Sequence, residues 1–345
     1  MNIPFAIYLL PGEDELHFCA SEKTCHVSVR QFFDASDNGS FAIAPFIPSE
    51  TIEIISPELS PGAVLALEQT GSIEPNVDSP VETTFGDYSV TGKKVINQLV
   101  ENGGKVVLSR VIVEKGTNPV SVAVEYFNAL PSTFRSLFYT PEKGLWLGAT
   151  PEVLASYSSK DNTLTTMSLA GTRTAGTSGK WDSKNIEEHN FVTDFIKDIL
   201  MPNSDKVTIS DMYPVKFGAV EHLCEKIIAT GIKDISSIIA GLSPTPAVCG
   251  TPRDFAFQAI SQAESHSREC YGGWLGVKLE KVTEVFVNLR CSKIIPSSSG
   301  GEYIYNVYAG GGFTDKSIIE EEWNEAGQKA SILLEIIKAS RLDGE

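Results

Sequence analysis

The sequence predicts an α+β protein whose sheets are largely antiparallel. Segments typical of strands follow one another in runs, at residues 134–167 and again at residues 273–308, instead of alternating regularly with helices. Segments with helical periodicity lie near residues 181–200 and near residues 316–340. No internal repeat or low-complexity tract occurs, and we expect a single structural domain overall.

The individual elements follow from short apolar runs, their periodicity and the turn residues between them. Before residue 85, strands alternate with turns that contain Pro, Gly and Ser, and the polar stretch at residues 71–82 is interpreted as a linker or surface loop. The predicted strands are residues 5–10, 41–45, 51–55, 105–110, several within 134–167, then 207–210, 221–228, 273–279, 284–294 and 303–308. The predicted helices begin near residue 87 and include residues 119–130, 181–200, 235–242, 253–263 and 316–340.

Composition and charge limit the possible function. At 345 residues, with 42% hydrophobic and 21% charged residues, the chain has an ordinary globular composition. The net charge of −16, without any basic arm or stripe, argues against a nucleic-acid partner, and an anionic substrate would need a local cationic pocket or a metal ion. Six cysteines without a CxxC pair favour a reduced protein over a disulfide framework. With no apolar run approaching about 18 residues, we expect a soluble, cytoplasmic protein without membrane contact.

Lys105 stands in an apolar strand that two glycines introduce, Gly103 and Gly104. Burial disfavours an ammonium group and lowers the pKa of a lysine, which can turn it into a general base near neutral pH. The alternative is a surface lysine whose amine reaches solvent. The two interpretations give the chain very different chemistry.

Three glutamates occupy positions where a carboxylate needs a partner. Glu188 lies on the apolar side of the long helix, and Glu322 and Glu325 are i,i+3 neighbours on the last helix, close to the predicted glycine loop at residues 310–312. Carboxylates brought together at low exposure require a cation, and oxygen ligands favour Mg²⁺. The alternative is that each glutamate stays solvated at a helix edge.

Two further charged residues interrupt apolar strands. Glu152 follows Pro151 at a turn between strands, where an apolar cleft could keep it protonated as a general acid, or where it could be an ordinary strand-edge glutamate. Arg290 is expected to share a strand face with Phe286 and Asn288. A guanidinium there either grips a carboxylate or phosphate of a ligand, or pairs with a buried glutamate.

These segments resemble, in order and spacing, the chorismate-utilising enzymes, a family that includes isochorismate, salicylate, anthranilate and aminodeoxychorismate synthases. The resemblance covers about residues 86–340. It is carried by KVVLSR at 105–110, LGATPE at 147–152, LAGTR at 169–173, EH at 188–189, EHL at 221–223, PTPAVCGTP at 244–252, YGG at 271–273, NLRC at 288–291, YAGGG at 308–312 and EWNE at 322–325. It implies two stacked antiparallel sheets with helices packed outside. Residues 1–85 would be a short variable part on the same sheet core, and residues 86–345 the chorismate-binding catalytic region.

Within the family, a few positions separate the reactions. The resemblance implies that Lys105 activates water for attack at ring carbon C2, where amine-forming members typically carry Gln. Ala170 stands where aminodeoxychorismate synthases often carry a nucleophilic Lys, and Ala247 where salicylate synthases tend to carry Thr. Together these residues indicate the isochorismate synthases, enzymes of menaquinone or siderophore biosynthesis. A salicylate synthase and a chorismate-binding subunit without activity remain the alternatives.

The resemblance also implies a site. Glu188 and Glu325, with Glu322 acting directly or through water, would hold Mg²⁺ at the ring carboxylate of chorismate, and protonated Glu152 would serve the departing C4 hydroxyl. The implied substrate-binding residues are Arg290, Tyr271, Gly310, Gly311, Ala247, Thr172 and His222. A monomer is expected, as is common among the family's isochorismate synthases.

Two positions depart from the common pattern, and one loop has no clear assignment. Ser243 stands where many members have His, which is interpreted as a packing change, and Asn185 stands where some relatives carry an acidic residue. His222 has two interpretations, a contact with the substrate ring or a structural hydrogen bond. The loop at residues 174–180 is a mobile cover or a simple connection.

Overall fold

The computed structural model describes residues 3–36, 38–63, 81–218, 220–297 and 302–342. Its core is two large sheets, and every strand pair in these ranges is antiparallel, which confirms the predicted fold class. Most of the predicted linker or loop at residues 71–82 lies outside the described residues.

The first sheet has eight strands in the order β14-β6-β18-β17-β8-β7-β1-β2. Its strands are β1 Phe5–Leu9, β2 His17–Ala20, β6 Lys105–Gly116, β7 Phe134–Thr140, β8 Gly144–Thr150, β14 Gly250–Thr251, β17 Cys291–Pro296 and β18 Tyr303–Phe313. The second sheet follows the order β11-β13-β10-β9-β16-β15-β4-β5-β3, with β12 also paired to β13. Its strands are β3 Cys25–Val27, β4 Phe41–Ala44, β5 Ile52–Ile55, β9 Val153–Ser158, β10 Thr163–Thr174, β11 Lys206–Ile209, β12 Tyr213–Phe217, β13 Val220–Thr230, β15 Trp274–Lys278 and β16 Thr283–Val287.

Helices cover the outer faces of the sheets. They are α1 Val29–Asp34, α2 Phe85–Asn102, α3 Pro119–Ala129, α4 Ser183–Asn203, α5 Ile235–Leu242, α6 Arg253–Ala263 and α7 Ile319–Leu342. Helix α4 begins at Asp182, whose side chain accepts a hydrogen bond from the Asn185 N–H and so satisfies a free helical donor. Among the described helices, none combines the length and apolarity needed to cross a membrane.

The two sheets pack face to face through aromatic side chains. Phe134 of the first sheet and Phe286 of the second stack with ring centroids 4.1 Å apart, within a buried cluster that also holds Trp146 and Tyr308. A second cluster lies under α3 and α7 on the first sheet, and a third lies under α1, α4 and α5 on the second. Burial of these apolar faces stabilises the layers at roughly 25 cal/mol per Å² of apolar surface.

Two sequence predictions near the site are wrong. The strand predicted at residues 284–294 is two strands, because the chain leaves β16 of the second sheet and enters β17 of the first. Arg290 therefore lies in the crossing segment, with φ of +51°, and not on a strand face. The predicted glycine loop at residues 310–312 is the end of β18, paired with residues 107–109 of β6. Strands β2, β3, β12 and β14 and helix α1 were not predicted, β6 and β18 extend about five residues beyond their predicted ends, and the other bounds agree or shift by a few residues.

Candidate active site

A cavity opens where the two sheets face each other, lined from β6 and β18 on one side and from β10 and β13 on the other. The sequence-predicted site residues that line it are Lys105, Glu152, Thr172, Glu188, His222, Ala247, Tyr271, Arg290 and Gly310, together with Ala170. Gly311, Glu322 and Glu325 do not line it. Residues far apart in sequence are thus brought to one place by the sheet pairing.

Lys105 is the first residue of β6, and its side chain is 1% exposed. Its Nζ lies 2.7 Å from Oε1 of Glu188 on α4. Burial raises the pKa of the Glu188 carboxyl, but the Lys105, Lys329 and Lys184 ammonium groups outweigh it, and the pKa is lowered. The surface interpretation of Lys105 is therefore wrong.

The entry to β6 explains why glycine precedes Lys105. Gly104 has φ of +90°, and a Cβ there would lie 2.1 Å from the Thr251 carbonyl oxygen. Only glycine lets the chain pass so close to β14 in this conformation. The turn places Lys105 at the start of β6, where it lines the cavity.

Glu152 lies opposite, in the turn between β8 and β9, and is 3% exposed. Burial raises the pKa of its carboxyl to about 7, against the opposing effects of Thr245 and of Lys105. The Thr245 hydroxyl donates a hydrogen bond to Glu152 Oε1 at 3.2 Å. A carboxyl in this environment can hold a proton at neutral pH.

Arg290 brings positive charge to the cavity. Its guanidinium donates through Nη1 to the Lys329 carbonyl at 3.1 Å and through Nη2 to His222 Nε2 at 3.2 Å. Neither partner is a carboxylate, so the alternative of an Arg–Glu pair is not what holds this side chain. Its charge is left for an anionic ligand.

Tyr271 stands beside Arg290 and is 3% exposed. Its ring stacks on Tyr308 with centroids 5.5 Å apart. A Cβ on Gly310 would lie 2.8 Å from the Tyr271 hydroxyl, so a glycine at that position keeps the hydroxyl free of a clash. This close approach puts the hydroxyl next to the backbone of β18.

The two remaining glutamates lie beside the cavity on α7, and each faces a lysine. Lys184 contacts Glu322 at 2.7 Å, and Lys329 contacts Glu325 at 2.7 Å. Burial raises the pKa of Glu322 to about 7, and the Glu325 and Glu188 carboxylates add to the effect. The three carboxylates therefore lie close enough to repel one another.

Whether these three glutamates could hold a metal ion depends on the room that the backbone of β18 leaves for their carboxylates. A Cβ on Gly311 would lie 3.2 Å from Glu322 Oε2, and a Cβ on Gly312 would lie 2.7 Å from Glu188 Oε1. Consecutive glycines thus leave room for two carboxylates, and an all-oxygen donor set suits a hard cation. Within the described ranges, no three His, Cys, Asp or Glu side chains converge closely enough to hold a metal ion as they stand. The donor chemistry fits Mg²⁺, and the Mg²⁺ site stays a prediction.

Sequence reasoning missed Lys329, which lines the cavity. Its Nζ donates to the Gly310 carbonyl at 3.0 Å and to Glu325 at 2.7 Å. The available signal was its position four residues after Glu325 on the same helix, the spacing of an ion pair. Thr245, the partner of Glu152, was also missed.

The side chain of Asn185 is held by hydrogen bonds at both of its polar atoms. Its side-chain oxygen accepts a hydrogen bond from the Thr172 N–H at 2.7 Å, and its Nδ2 donates to Asp182 at 2.8 Å. The amide therefore joins the start of α4 to β10, which an acidic side chain could do only in part, because it lacks the donor. Ser243 is 9% exposed at the end of α5, and its carbonyl accepts a hydrogen bond from Arg253 at 3.4 Å.

The cavity between the two antiparallel sheets thus brings together a buried amine, a buried carboxyl whose pKa is raised, and further cationic side chains. The chain belongs to the chorismate binding enzymes: the family profile of that description matches residues 66–338.

Two curated relatives show the level of similarity. The chain is similar to the isochorismate synthase MenF of Escherichia coli, at 32% identity over 68% of this chain and 56% of the relative. It is also similar to the vibriobactin-specific isochorismate synthase of Vibrio cholerae, at 26% identity over 85% of this chain and 78% of the relative. The match thus spans little more than half the length of the E. coli protein.

The solved structure of menaquinone-specific MenF from E. coli has the same fold. It superposes with a TM-score of 0.77 at 23% identity, over 97% of this chain and 88% of that one. The fold predicted from the sequence is confirmed by this likeness.

Proposed function

We propose that the protein is an isochorismate synthase, which converts chorismate reversibly into isochorismate. The observation that carries the proposal is the placement of two buried groups, Lys105 and Glu152, on one cavity of a chorismate binding enzyme. The relatives named above support the choice of reaction.

The proposed reaction exchanges one hydroxyl for another. Lys105 pairs with Glu188 in the free protein, and in the proposed step it acts after giving up its own proton to solvent: as a neutral amine it takes a proton from water while the water oxygen forms a bond to C2 of the ring. The double bonds shift, the C4–O bond breaks, and Glu152 gives its proton to the departing hydroxyl, which leaves as water. A positioned base or acid contributes typically about 10²–10⁴-fold each. The pKa of about 7 for Glu152 leaves it substantially protonated at neutral pH, as a general acid requires.

Arg290 and Tyr271 are proposed to bind the enolpyruvyl carboxylate. Backbone N–H groups of β18 add to this set, because β17 pairs with β18 only as far as Val307. Beyond that point the edge of β18 opposite β6 has no partner strand in the described pairing, so we propose that a backbone N–H on this edge is available to the substrate where Gly310 lines the cavity.

Magnesium is proposed as the cofactor, held by Glu188 and Glu325 with Glu322 acting directly or through water. When bound, it would supply positive charge for the ring carboxylate of chorismate. The product would serve menaquinone or siderophore biosynthesis. We further propose a cytoplasmic monomer, which cell fractionation and light scattering would test.

Product analysis tests the proposal. Purified protein is incubated with chorismate and Mg²⁺, and the products are separated and identified by mass spectrometry. Isochorismate as the accumulating product is expected. Salicylate with pyruvate would instead show a salicylate synthase, and tight Mg²⁺-dependent binding of chorismate without turnover would show a non-catalytic subunit.

A further inference from the structure

The hydrogen bonds of His222 determine which of its ring nitrogens carries the proton. His222 lies on β13 and is 6% exposed. Its Nδ1 is 3.1 Å from the Gly171 carbonyl oxygen, and its Nε2 is 3.2 Å from Arg290 Nη2. A carbonyl only accepts and a guanidinium only donates, so Nδ1 must carry the hydrogen and Nε2 must hold the lone pair. The ring is a neutral Nδ1–H tautomer.

The Gly171 carbonyl, which accepts the hydrogen bond from Nδ1–H, belongs to a β-bulge. The register of β10 against β13 shifts between Ala170 and Thr172, which leaves Gly171 as the extra residue, with φ of +72°. A Cβ on Gly171 would lie 2.7 Å from the Asn185 carbonyl oxygen. The Asn185 side chain also accepts a hydrogen bond from the Thr172 N–H at 2.7 Å, so the residue after the bulge is held to α4. Its geometry is therefore set before any ligand binds.

Arg290 donates the hydrogen bond that His222 Nε2 accepts. This residue lies in the segment that crosses between the sheets, and its backbone carbonyl accepts hydrogen bonds from the Ala149 N–H at 3.3 Å and the Tyr126 hydroxyl at 2.9 Å. Among the described residues, the groups that accept hydrogen bonds from its guanidinium are uncharged, namely the His222 ring and the Lys329 carbonyl. The orientation of the guanidinium thus depends directly on the lone pair of His222.

The charges around His222 keep the ring neutral. It faces Arg290 from the crossing segment, Lys329 from α7 and Lys105 from β6, while Thr172 contacts it from β10 at 3.1 Å. Burial first, and then these three cations, lower its pKa well below the usual value, against the effect of the Gly171 carbonyl. The acceptor nitrogen stays available to Arg290.

We propose that His222 is a positioning residue, which acts through Arg290, and that the Gly171 bulge selects the tautomer with which it does so. The inference rests on the proposed function, since Arg290 is proposed there to bind the substrate carboxylate. His222 makes no covalent or proton-transfer contribution. Its effect is on the affinity for chorismate, through the direction in which the guanidinium points.

The first test is independent of catalysis. The free protein is labelled with ¹⁵N-histidine, and long-range ¹H–¹⁵N correlation spectra distinguish the two neutral tautomers. Only five histidines are present, and loss of a signal in His222→Gln assigns the ring. The Nδ1–H tautomer is expected. An Nε2–H tautomer or a charged ring at neutral pH would overturn the proposal, whatever reaction the protein catalyses.

The second test compares variants at the acceptor position. His222→Leu removes the acceptor, and its effect is expected as a rise in chorismate KM of about 10–100-fold, the range for one hydrogen bond to a charged group, with a smaller fall in kcat. His222→Gln offers an amide oxygen near the place of Nε2 and is expected to recover most of the affinity. A leucine variant that loses kcat at unchanged KM, or a glutamine variant as poor as leucine, would contradict the positioning role.

A double-mutant cycle with Arg290→Ala completes the test. Binding of chorismate is measured by calorimetry, which needs no turnover. In the Arg290→Ala background, adding His222→Leu is expected to change the Kd by less than about threefold, because neighbouring residues that act through one another are not additive. Equal losses in both backgrounds would show that His222 acts on its own. Chorismate binding without isochorismate formation would count against the proposed reaction and still leave the coupling measurable.

Discussion

Lys105 Nζ and Glu188 Oε1 lie 2.7 Å apart, and this contact joins the first strand residue of β6 to helix α4 on the other sheet. The amine is 1% exposed and the carboxylate 12% exposed. Breaking such a pair by removing one partner leaves a buried charge and typically costs about 3–5 kcal/mol. The proposed base and one proposed metal ligand therefore hold each other in position. A variant of either residue must be checked for its effect on the other.

Lys105→Ala is expected to abolish water addition while chorismate still binds. The loss of a positioned base predicts a fall in kcat of about 10²–10⁴-fold. Initial rates and calorimetric binding are measured side by side, with thermal unfolding to record the loss of the pair with Glu188. Unchanged turnover in this variant would refute the assignment of Lys105 as the base.

Glu325→Ala is expected to lose both activity and the response to Mg²⁺, because one proposed oxygen ligand is removed. The matched control is Glu321→Ala, an exposed glutamate on the same helix. Mg²⁺ affinity is titrated by calorimetry in both variants. A retained Mg²⁺ response in Glu325→Ala, or equal losses in the control, would place the metal elsewhere.

Glu152→Gln is expected to change how the free energy of unfolding depends on pH. Burial raises the folded-state pKa of Glu152 from 4.5 to about 7, so its contribution is fully present at low pH and is lost as pH rises through 7. Between pH 5 and pH 8 the wild type should lose about 2.5 kcal/mol relative to the variant, at up to about 1.4 kcal/mol per pH unit below pH 7 and little above it. Urea unfolding at both pH values measures the difference, and a constant difference would mean that Glu152 titrates normally.

Gly312→Ala is expected to disable the site without unfolding the protein. Its Cβ would lie 2.7 Å from Glu188 Oε1 and 2.8 Å from Lys105 Cε, so the ion pair must move. We expect kcat to fall by about 10²-fold, the cost of misplacing a reacting group by roughly 1 Å. Gly86→Ala, whose nearest neighbour would be 3.6 Å away, is the control and should leave kcat unchanged. Full activity in Gly312→Ala would contradict the close packing of Lys105 and Glu188.

Much of the fold could be predicted because periodicity and turn residues are local signals. The helices at 235–242 and 253–263 agree with the structure in their bounds. Arg290 was misplaced because an apolar run does not tell at which residue a chain changes sheets, and residues 310–312 were misplaced because glycine is typical of loops. Gly310 and Gly312 stand in a strand because Tyr271 and Glu188 approach it too closely for a Cβ, which is tertiary information.

Charged residues in apolar strands marked Lys105, Glu152 and Arg290 as candidates, and the family resemblance joined them into one site. The structure brings all three to one cavity. The spacing of Lys329 from Glu325 could suggest an ion pair, but its contact with Gly310 at the cavity depends on how α7 packs on β18. The tautomer of His222 likewise depends on a bulge that no residue pattern marks beyond a single glycine.

The most direct test of the account follows the oxygen atom. Purified protein, chorismate and Mg²⁺ are mixed in H₂¹⁸O, and early products are analysed by mass spectrometry. If Lys105 activates water for attack at C2, the isochorismate formed carries one ¹⁸O atom, located at C2. Unlabelled isochorismate, or no isochorismate at all, would contradict the account.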